Sequence, residues 1–208
     1  MTDVNAKKPF VSNSTASTRM FRKSWMEALS KVHFSVPLLL YIPLITWCLW
    51  QTTASWQTAG LLLGGLFSWT FVEYVLHRFV FHWTPPGKIG ARLHFIFHGV
   101  HHDYPNDRLR LVMPPSVSIP LALIFFFLYK TLLGVPTVYP FFAGFVAGYL
   151  FYDTMHYAMH HLQWKFDWFQ RLKQYHMRHH YQHDAQGFGV SNPLWDYVFN
   201  TTFRLKKR

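Results

Sequence analysis

Apolar residues gather in four long runs along this chain, and the polar residues between them cluster rather than alternate. The first run covers about residues 32–50 and is interrupted by Pro37 and Pro43; the second covers about 59–83. The third and fourth cover about 117–133 and 138–152. A helix that crosses a bilayer needs roughly 20 apolar residues, with latitude for tilt. The fourth run is short, so its helix is expected to continue past the hydrocarbon. Proline and glycine inside such runs are tolerable, because neighbouring helices satisfy the freed backbone groups. The links 51–58 and 131–137 are short and uncharged, and each is expected to join an antiparallel pair. The pattern therefore predicts an all-α integral membrane fold, with four transmembrane helices in two hairpins.

Ahead of these runs the character changes twice. Residues 1–18 are rich in Ser, Thr, Asn and Lys and offer little to bury, which predicts a disordered tail. No apolar core follows a short basic start there, so these residues do not read as a secretory signal. Over residues 19–33, Phe21, Trp25 and Leu29 recur every fourth position, with Arg22, Lys23 and Lys31 on other sides. That periodicity predicts an amphipathic helix lying at the membrane interface. Residues 34–208 then form the membrane domain and its cap.

Charge sharpens this picture. Half of the chain is hydrophobic and only 14% is charged, against about 25% in ordinary soluble domains. The net charge of +11 would suit a nucleic-acid binder if it were spread evenly. Instead, six Lys/Arg precede residue 34, five lie between Arg78 and Arg110, and eight lie between Lys165 and Arg208. Only Lys130 falls elsewhere. Basic residues collected on one side mark a cytosolic face, which argues against nucleic acid and places both termini and the cap in the cytosol. The single cysteine, Cys48, lies in an apolar run, so there is neither an internal disulfide nor a CxxC metal site.

The candidate chemistry lies in the histidines. Of 14, all but His33 fall in four blocks. These are HRFVFH (His77, His82), HFIFHGVHH (His94, His98, His101, His102), HYAMHH (His156, His160, His161) and HMRHHYQH (His176, His179, His180, His183). Positions three and four apart share a helix face. On that rule His98, His101 and His102 converge, as do His156 with His160, and His176 with His179 and His180. His77 and His82 are five apart, about 140° around an α-helix, and fit best if the helix distorts or if they reach opposite sides of a site above its end. Buried imidazoles without partners are costly, so four blocks at the polar ends of apolar runs point to metal. Ten ligands exceed what one ion takes, and two ions are the economical reading.

Imidazole suits zinc, copper, nickel and iron alike. There is no HExxH helix and no Glu-x-x-His pair, and only nine acidic residues in all, so an all-histidine set of ligands is expected. Zinc cannot change oxidation state, whereas a neutral site beside apolar spans suits oxygen chemistry on a hydrocarbon chain. Iron is therefore the expected metal, although zinc can occupy such sites in a purified sample. Glu73 lies four residues before His77 and Asp153 three before His156. Each is a candidate carboxylate to orient its neighbouring ring.

At these blocks the sequence resembles the fatty acid hydroxylase superfamily, and within it the catalytic domain of fatty acid (sphingolipid) 2-hydroxylases. The likeness covers about residues 60–203 and extends to HFIFHGVHHDYPNDRLRLVMPP, LFYDTMHYAMHH and YHMRHHYQHDAQGFGVSNPLWDYVF. The resemblance implies ten metal ligands: His77, His82, His98, His101, His102, His156, His160, His176, His179 and His180. It further implies two iron ions, O2, and hydroxylation at C2 of an acyl chain, as in ceramide or a related sphingolipid. Many relatives carry a haem domain ahead of this region. The first 33 residues here have no room for one and no His-Pro-Gly-Gly motif, so a separate electron-transfer protein is expected. The implied location is the endoplasmic reticulum or a bacterial inner membrane, with the site on the cytosolic side.

Three rivals are distinguishable. A sterol or carotenoid oxygenase uses similar histidine blocks but does not call for the flanks RLVMPP and GFGVSNPLWDYVF. A metal transporter predicts ligands near the bilayer midplane. A zinc hydrolase predicts activity without oxygen or reductant. Tyr181, Phe188 and Trp195 are candidates for a substrate entrance, with aromatic packing as the plainer role for each.

Overall fold

Helix is the only regular structure among residues 10–203, the part of the chain described by the computed structural model. In chain order these are α1 (Ser24–Leu29), α2 (Ser35–Trp50) and α3 (Trp56–Val75), the last continued by a π-helix over Leu76–Phe81. Next come α4 (Gly87–His94), a second π-helix over Phe95–Gly99, and α5 (Val100–Asp103). The series ends with α6 (Pro115–Leu133), α7 (Val138–His161), α8 (Asp167–Tyr181) and α9 (Leu194–Val198). Each apolar run has become helix. Ser55 caps α3 by accepting the Thr58 N–H at 3.1 Å, and Pro115 opens α6 where a missing N–H costs nothing.

Two helices are long and apolar enough to cross a membrane, Trp56–Phe81 with 26 residues and Pro115–Leu133 with 19. Ser35–Trp50 is apolar but shorter, and α7 is long but lies largely inside the protein. The packing differs from two self-contained hairpins. Although α2 and α3 are consecutive, they scarcely touch, and each packs along α7 instead. Along α2, Trp47 meets Tyr139, Tyr41 meets Tyr149 and Phe34 stacks on Tyr157. The descending order makes that pair antiparallel. Phe126 on Phe142 and Phe125 on Phe145 place α6 antiparallel to α7 as well.

The α3–α7 pair runs parallel, with Leu62 against Gly144 and Trp69 against Gly148 and Tyr152. Glycine makes this approach possible. A Cβ on Gly65 would lie 1.8 Å from the Phe141 carbonyl oxygen, and one on Gly144 would lie 1.9 Å from that of Leu62. Small residues at such crossings let backbones close up and gain dispersion contacts. Because α3 and α7 run the same way, their C-terminal ends emerge together. The histidine-bearing π-helices, α5 and α8 gather at that end.

The N-terminal segment departs from its expected form. Residues 1–9 of the expected disordered tail lie outside the described residues, and residues 10–18 run without helix against the cap. They are held there by Ser12 N–H to Asp103 O (2.7 Å) and Thr18 N–H to Asp107 Oδ2 (3.1 Å). The helix expected over 19–33 forms only across Ser24–Leu29. Its start is delayed because Glu27 bends back and accepts the Met20 and Phe21 N–H groups, each at 3.0 Å. Buried Arg110 then ties the segment down, donating to Thr18 O, Ser30 O and the Glu27 carboxylate.

Candidate metal centre

The distortion required by His77 and His82 is present in the backbone. Over Leu76–Phe81 the helix widens to π geometry, and His82 N–H donates to His77 O at 3.2 Å. An i→i+5 bond aligns residues that an α-helix would splay apart, and the two Nε2 atoms come within 3.2 Å. The second π-helix carries His98 at its buried face.

Ten histidines converge in two groups of five. One contains His77, His82, His98, His102 and His179; the other contains His101, His156, His160, His176 and His180. Within each group the candidate ligand atoms all lie within 4.8 Å of one another. These are the ten positions implied by the resemblance, but their partition differs from the simple face rule. His98 and His102 point into the first group while His101 points into the second; His176 and His180 point into the second while His179 points into the first. In each triad the i, i+4 pair is about 40° apart around the helix, and the middle ring diverges from one member by about 100°. A fan of that width reaches two centres.

The close nitrogens are not an ordinary hydrogen-bond cluster. In the first group His77 Nε2 lies 3.0 Å from His98 Nε2, and His179 Nε2 lies 3.0 Å from His82 Nε2. His77 Nδ1 meets the Phe188 carbonyl at 2.6 Å and His179 Nδ1 meets that of Gln186 at 2.7 Å. A carbonyl can only accept, so both Nδ1 atoms carry the proton and both Nε2 atoms present lone pairs. Lone pairs aimed at a shared point repel unless a cation lies between them. Nitrogens at about 2.1 Å from one ion and at right angles are roughly 3.0 Å apart. The second group shows the same spacing, 2.9 Å for His160–His176 and 3.1 Å for both His101–His180 and His176–His180. Burial first, and neighbouring rings second, hold His98, His101, His102 and His180 well below the ordinary imidazole range. Neutral imidazole is the form that binds metal. The residues present fit two metal ions.

Neither candidate carboxylate accepts from the ring assigned to it. Glu73 Oε1 accepts the backbone N–H groups of Val190 (2.8 Å) and Ser191 (2.7 Å), and Oε2 accepts the Ser191 hydroxyl. It therefore fixes the loop whose Phe188 carbonyl orients His77. Asp196 supports the same loop through Phe188 N–H (2.9 Å) and Gly189 N–H (2.8 Å). Asp153 Oδ1 accepts Met113 N–H at 3.4 Å, the Tyr149 hydroxyl lies beside the same carboxylate, and both nitrogens of His156 have no protein partner. The backbone acceptors carry no sequence signal, which is why residue spacing pointed to carboxylates instead. His94 and His161 are half-buried outside both groups, and His33 and His183 are exposed.

A largely apolar cavity of about 280 Å³ opens beside the centre. His98 of the first group and His101 and His156 of the second all contribute to its wall. Asp153, Tyr152 and the run from Arg110 to Pro114 line it too. Those last five residues are the RLVMP of a flank that metal binding does not require, and this was the one sequence signal for them. Tyr181, Phe188 and Trp195 do not line this cavity. Phe188 packs on His82 and His179, Trp195 donates to Thr70 Oγ1, and Tyr181 is exposed.

The fatty acid hydroxylase family model matches residues 62–201, over half of the chain. This protein belongs to the fatty acid hydroxylase family. It is 37% identical to a dihydroceramide fatty acyl 2-hydroxylase of Arabidopsis thaliana, a match covering 88% of this chain and 79% of that one. Identity to fatty acid 2-hydroxylase of Mus musculus is 37%, covering 88% of this chain and 56% of the relative. Identity to a ceramide very long chain fatty acid hydroxylase of Saccharomyces cerevisiae is 36%, covering 86% and 48%. The chain thus spans about half the length of the mouse and yeast hydroxylases. A solved structure described as full-length scs7p, with only the hydroxylase domain visible, superposes with a TM-score of 0.81 at 36% identity. That match covers 88% of this chain and 71% of the other.

Proposed function

We propose that this hydroxylase acts on C2 of a fatty acyl chain, with ceramide or a related sphingolipid as substrate. The observation that carries the reading is the apolar cavity whose wall includes histidines of both groups. A hydrocarbon chain held there lies against the centre, and water is kept out by the surrounding apolar side chains. The named relatives act on fatty acyl groups of this class.

In this reading His77, His82, His98, His102 and His179 hold one iron, and His101, His156, His160, His176 and His180 hold the other. When bound there, iron would supply the reductive activation of O2 by which an acyl C–H is replaced by C–OH. The protein supplies position. C2 adjoins a polar carbonyl, so a site at the polar end of the spans meets it without drawing the chain out of the membrane. Asp153 lines the same cavity, where its carboxylate is placed to accept a hydrogen bond from an amide N–H or hydroxyl of the lipid. The Phe188 and Gln186 carbonyls keep His77 and His179 in one tautomer.

The topology proposed with this chemistry has four spans, α2, α3, α6 and α7, with the histidine layer on the cytosolic side. The grouping of basic residues outside the links 51–58 and 131–137 supports that orientation, and Lys130 is the exception. Electrons come from a separate protein, and the membrane is the endoplasmic reticulum or a bacterial inner membrane. The test is mass spectrometry of lipids from cells expressing wild type or His179→Ala, with iron and a competent reductant supplied. A wild-type-only gain of one oxygen, localised to acyl C2, is expected. Unmodified acyl chains in both would overturn the reading.

A further inference from the structure

Four large apolar side chains line the cavity and are also exposed: Trp25 (62%), Leu29 (55%), Phe97 (51%) and Val117 (37%). They come from α1, the second π-helix and the start of α6, so the cavity has an apolar mouth where those elements meet. A mouth open to water is normally rimmed by polar groups, because exposed contiguous apolar surface is unfavourable there. Val117 continues into the exposed apolar face of α6, through Ile124 (62%) and Leu128 (47%), on a helix of membrane-crossing length. The rim is therefore level with the beginning of a span.

The hood over this mouth carries charge suited to a leaflet surface. Arg19, Arg22 and Lys23 are exposed beside Trp25, which combines basic and apolar side chains as interfacial segments do. Behind it, Arg110 fixes the hood through Thr18, Ser30 and Glu27, so Trp25 and Leu29 are held at the opening. We propose that α1 and Phe97 frame a lateral portal through which an acyl lipid enters the cavity directly from the cytosolic leaflet. The proposal rests on the hydroxylase reading for what happens inside, but it concerns the route. The occupant is a membrane lipid with its acyl chain leading; neither a soluble thioester nor a protein partner matches an apolar rim at the start of a span.

Three cysteine substitutions in the full chain test this: Trp25→Cys, Leu29→Cys and Ile89→Cys. The native Cys48 is buried, and Ile89 is exposed on α4 away from the cavity. Each variant, metal-loaded in phosphatidylcholine–phosphatidylserine vesicles, is labelled to completion with a bulky, membrane-permeant methanethiosulfonate and compared with its own unlabelled form. A gate of this kind controls access, so 2-hydroxylation of long-chain ceramide is expected to fall on the order of tenfold for the first two and recover with reductant. Ile89→Cys is expected to lose nothing. In a separate binding readout, ceramide in the vesicles slows labelling of Leu29→Cys but not of Ile89→Cys. Unchanged turnover after full labelling at positions 25 and 29, or equal inhibition at 89, overturns the portal. If the wild type makes no 2-hydroxy product, the hydroxylase reading fails on its own. Ceramide protection at position 29 then still decides the portal.

Discussion

Glu73 and Ser191 are joined across 118 positions of sequence, with Glu73 Oε1 accepting the Ser191 N–H at 2.7 Å and Oε2 accepting its hydroxyl. The bond matters to the metal centre through the intervening loop, since Phe188 three residues earlier supplies the carbonyl that holds His77. Glu73→Ala leaves the buried Val190 N–H and part-buried Ser191 groups unpaired, at about 1–3 kcal/mol for each fully buried group. It also frees His77 to rotate. Loss of such support typically lowers metal affinity about 10–100-fold. Metal titration followed by mass-spectrometric metal analysis is expected to show that loss first in the His77 group. Glu73→Gln, which keeps one acceptor oxygen, is expected to fall between Ala and wild type. Equal metal affinity in all three proteins would mean that the loop holds its shape without this carboxylate.

The partition of the ten histidines yields a second expectation. His102→Ala and His160→Ala each remove one ring, the first from one group and the second from the other. If each group holds one ion, either variant should drop toward one metal per chain while the untouched group stays filled. The double variant should bind little. In the proposed two-iron reading the reaction uses both centres, so activity should be nearly abolished by either single change, by about 100-fold or more. Coordinate loss of both metals from one substitution would show that the ten rings act as one cluster.

Much of this was legible from residue order. Apolar run lengths marked the helices, and the four blocks named the histidines that the fold brings together. The five-residue gap between His77 and His82 left two readings, a distorted helix or rings on opposite sides of a site above its end, and the π-helix over Leu76–Phe81 decides for the first. Other features were hidden for physical reasons. Whether His101 joins His98 or His156 depends on where α7 lies, which is a matter of packing. The α3–α7 crossing depends on glycines whose role shows only once Phe141 and Leu62 are placed opposite them. The acceptors for His77 and His179 are backbone carbonyls, present at every residue and so invisible as a motif. Arg110 and Asp153 read as an ordinary cation and a candidate ring partner, and burial gave them a latch and a cavity wall instead.

The latch between Glu27 and Arg110 makes the hood sensitive to acid. Burial raises the Glu27 carboxyl, but the Phe21 N–H, Lys31, the Met20 N–H and Arg110 together outweigh it and bring the group from 4.5 down to about 2. A carboxyl whose folded value is depressed favours the folded arrangement in its ionised form. That contribution is complete above pH 4.5 and is lost as pH falls toward about 2. Pepsin cleavage between residues 18 and 30, followed over that window, should accelerate steeply in the wild type as the pH drops. Glu27→Gln should be cleaved faster at the upper end and change little across the window. Parallel curves for the two proteins would remove Glu27 from the latch.

The glycine crossing sets the distance between α3 and α7, and through it the spacing of His77 and His156. Gly144→Ala places a methyl 1.9 Å from the Leu62 carbonyl oxygen, and Gly65→Ala places one 1.8 Å from that of Phe141. Both obstacles are backbone, so no rotamer change relieves them and the helices must separate. Overpacking of a fixed interior costs about 1–3 kcal/mol and often more. Gly60→Ala lies on the same helix with nothing within 4 Å of the added carbon, and there alanine should stabilise by about 0.4–1 kcal/mol. Thermal unfolding in detergent, read by tryptophan fluorescence, should order the proteins as Gly60→Ala at or above wild type, with the other two well below. If the separation reaches the centre, Gly144→Ala should also bind metal more weakly at temperatures where it remains folded. A Gly144→Ala protein with wild-type unfolding would mean that α3 and α7 pack less closely than the 1.9 Å approach implies.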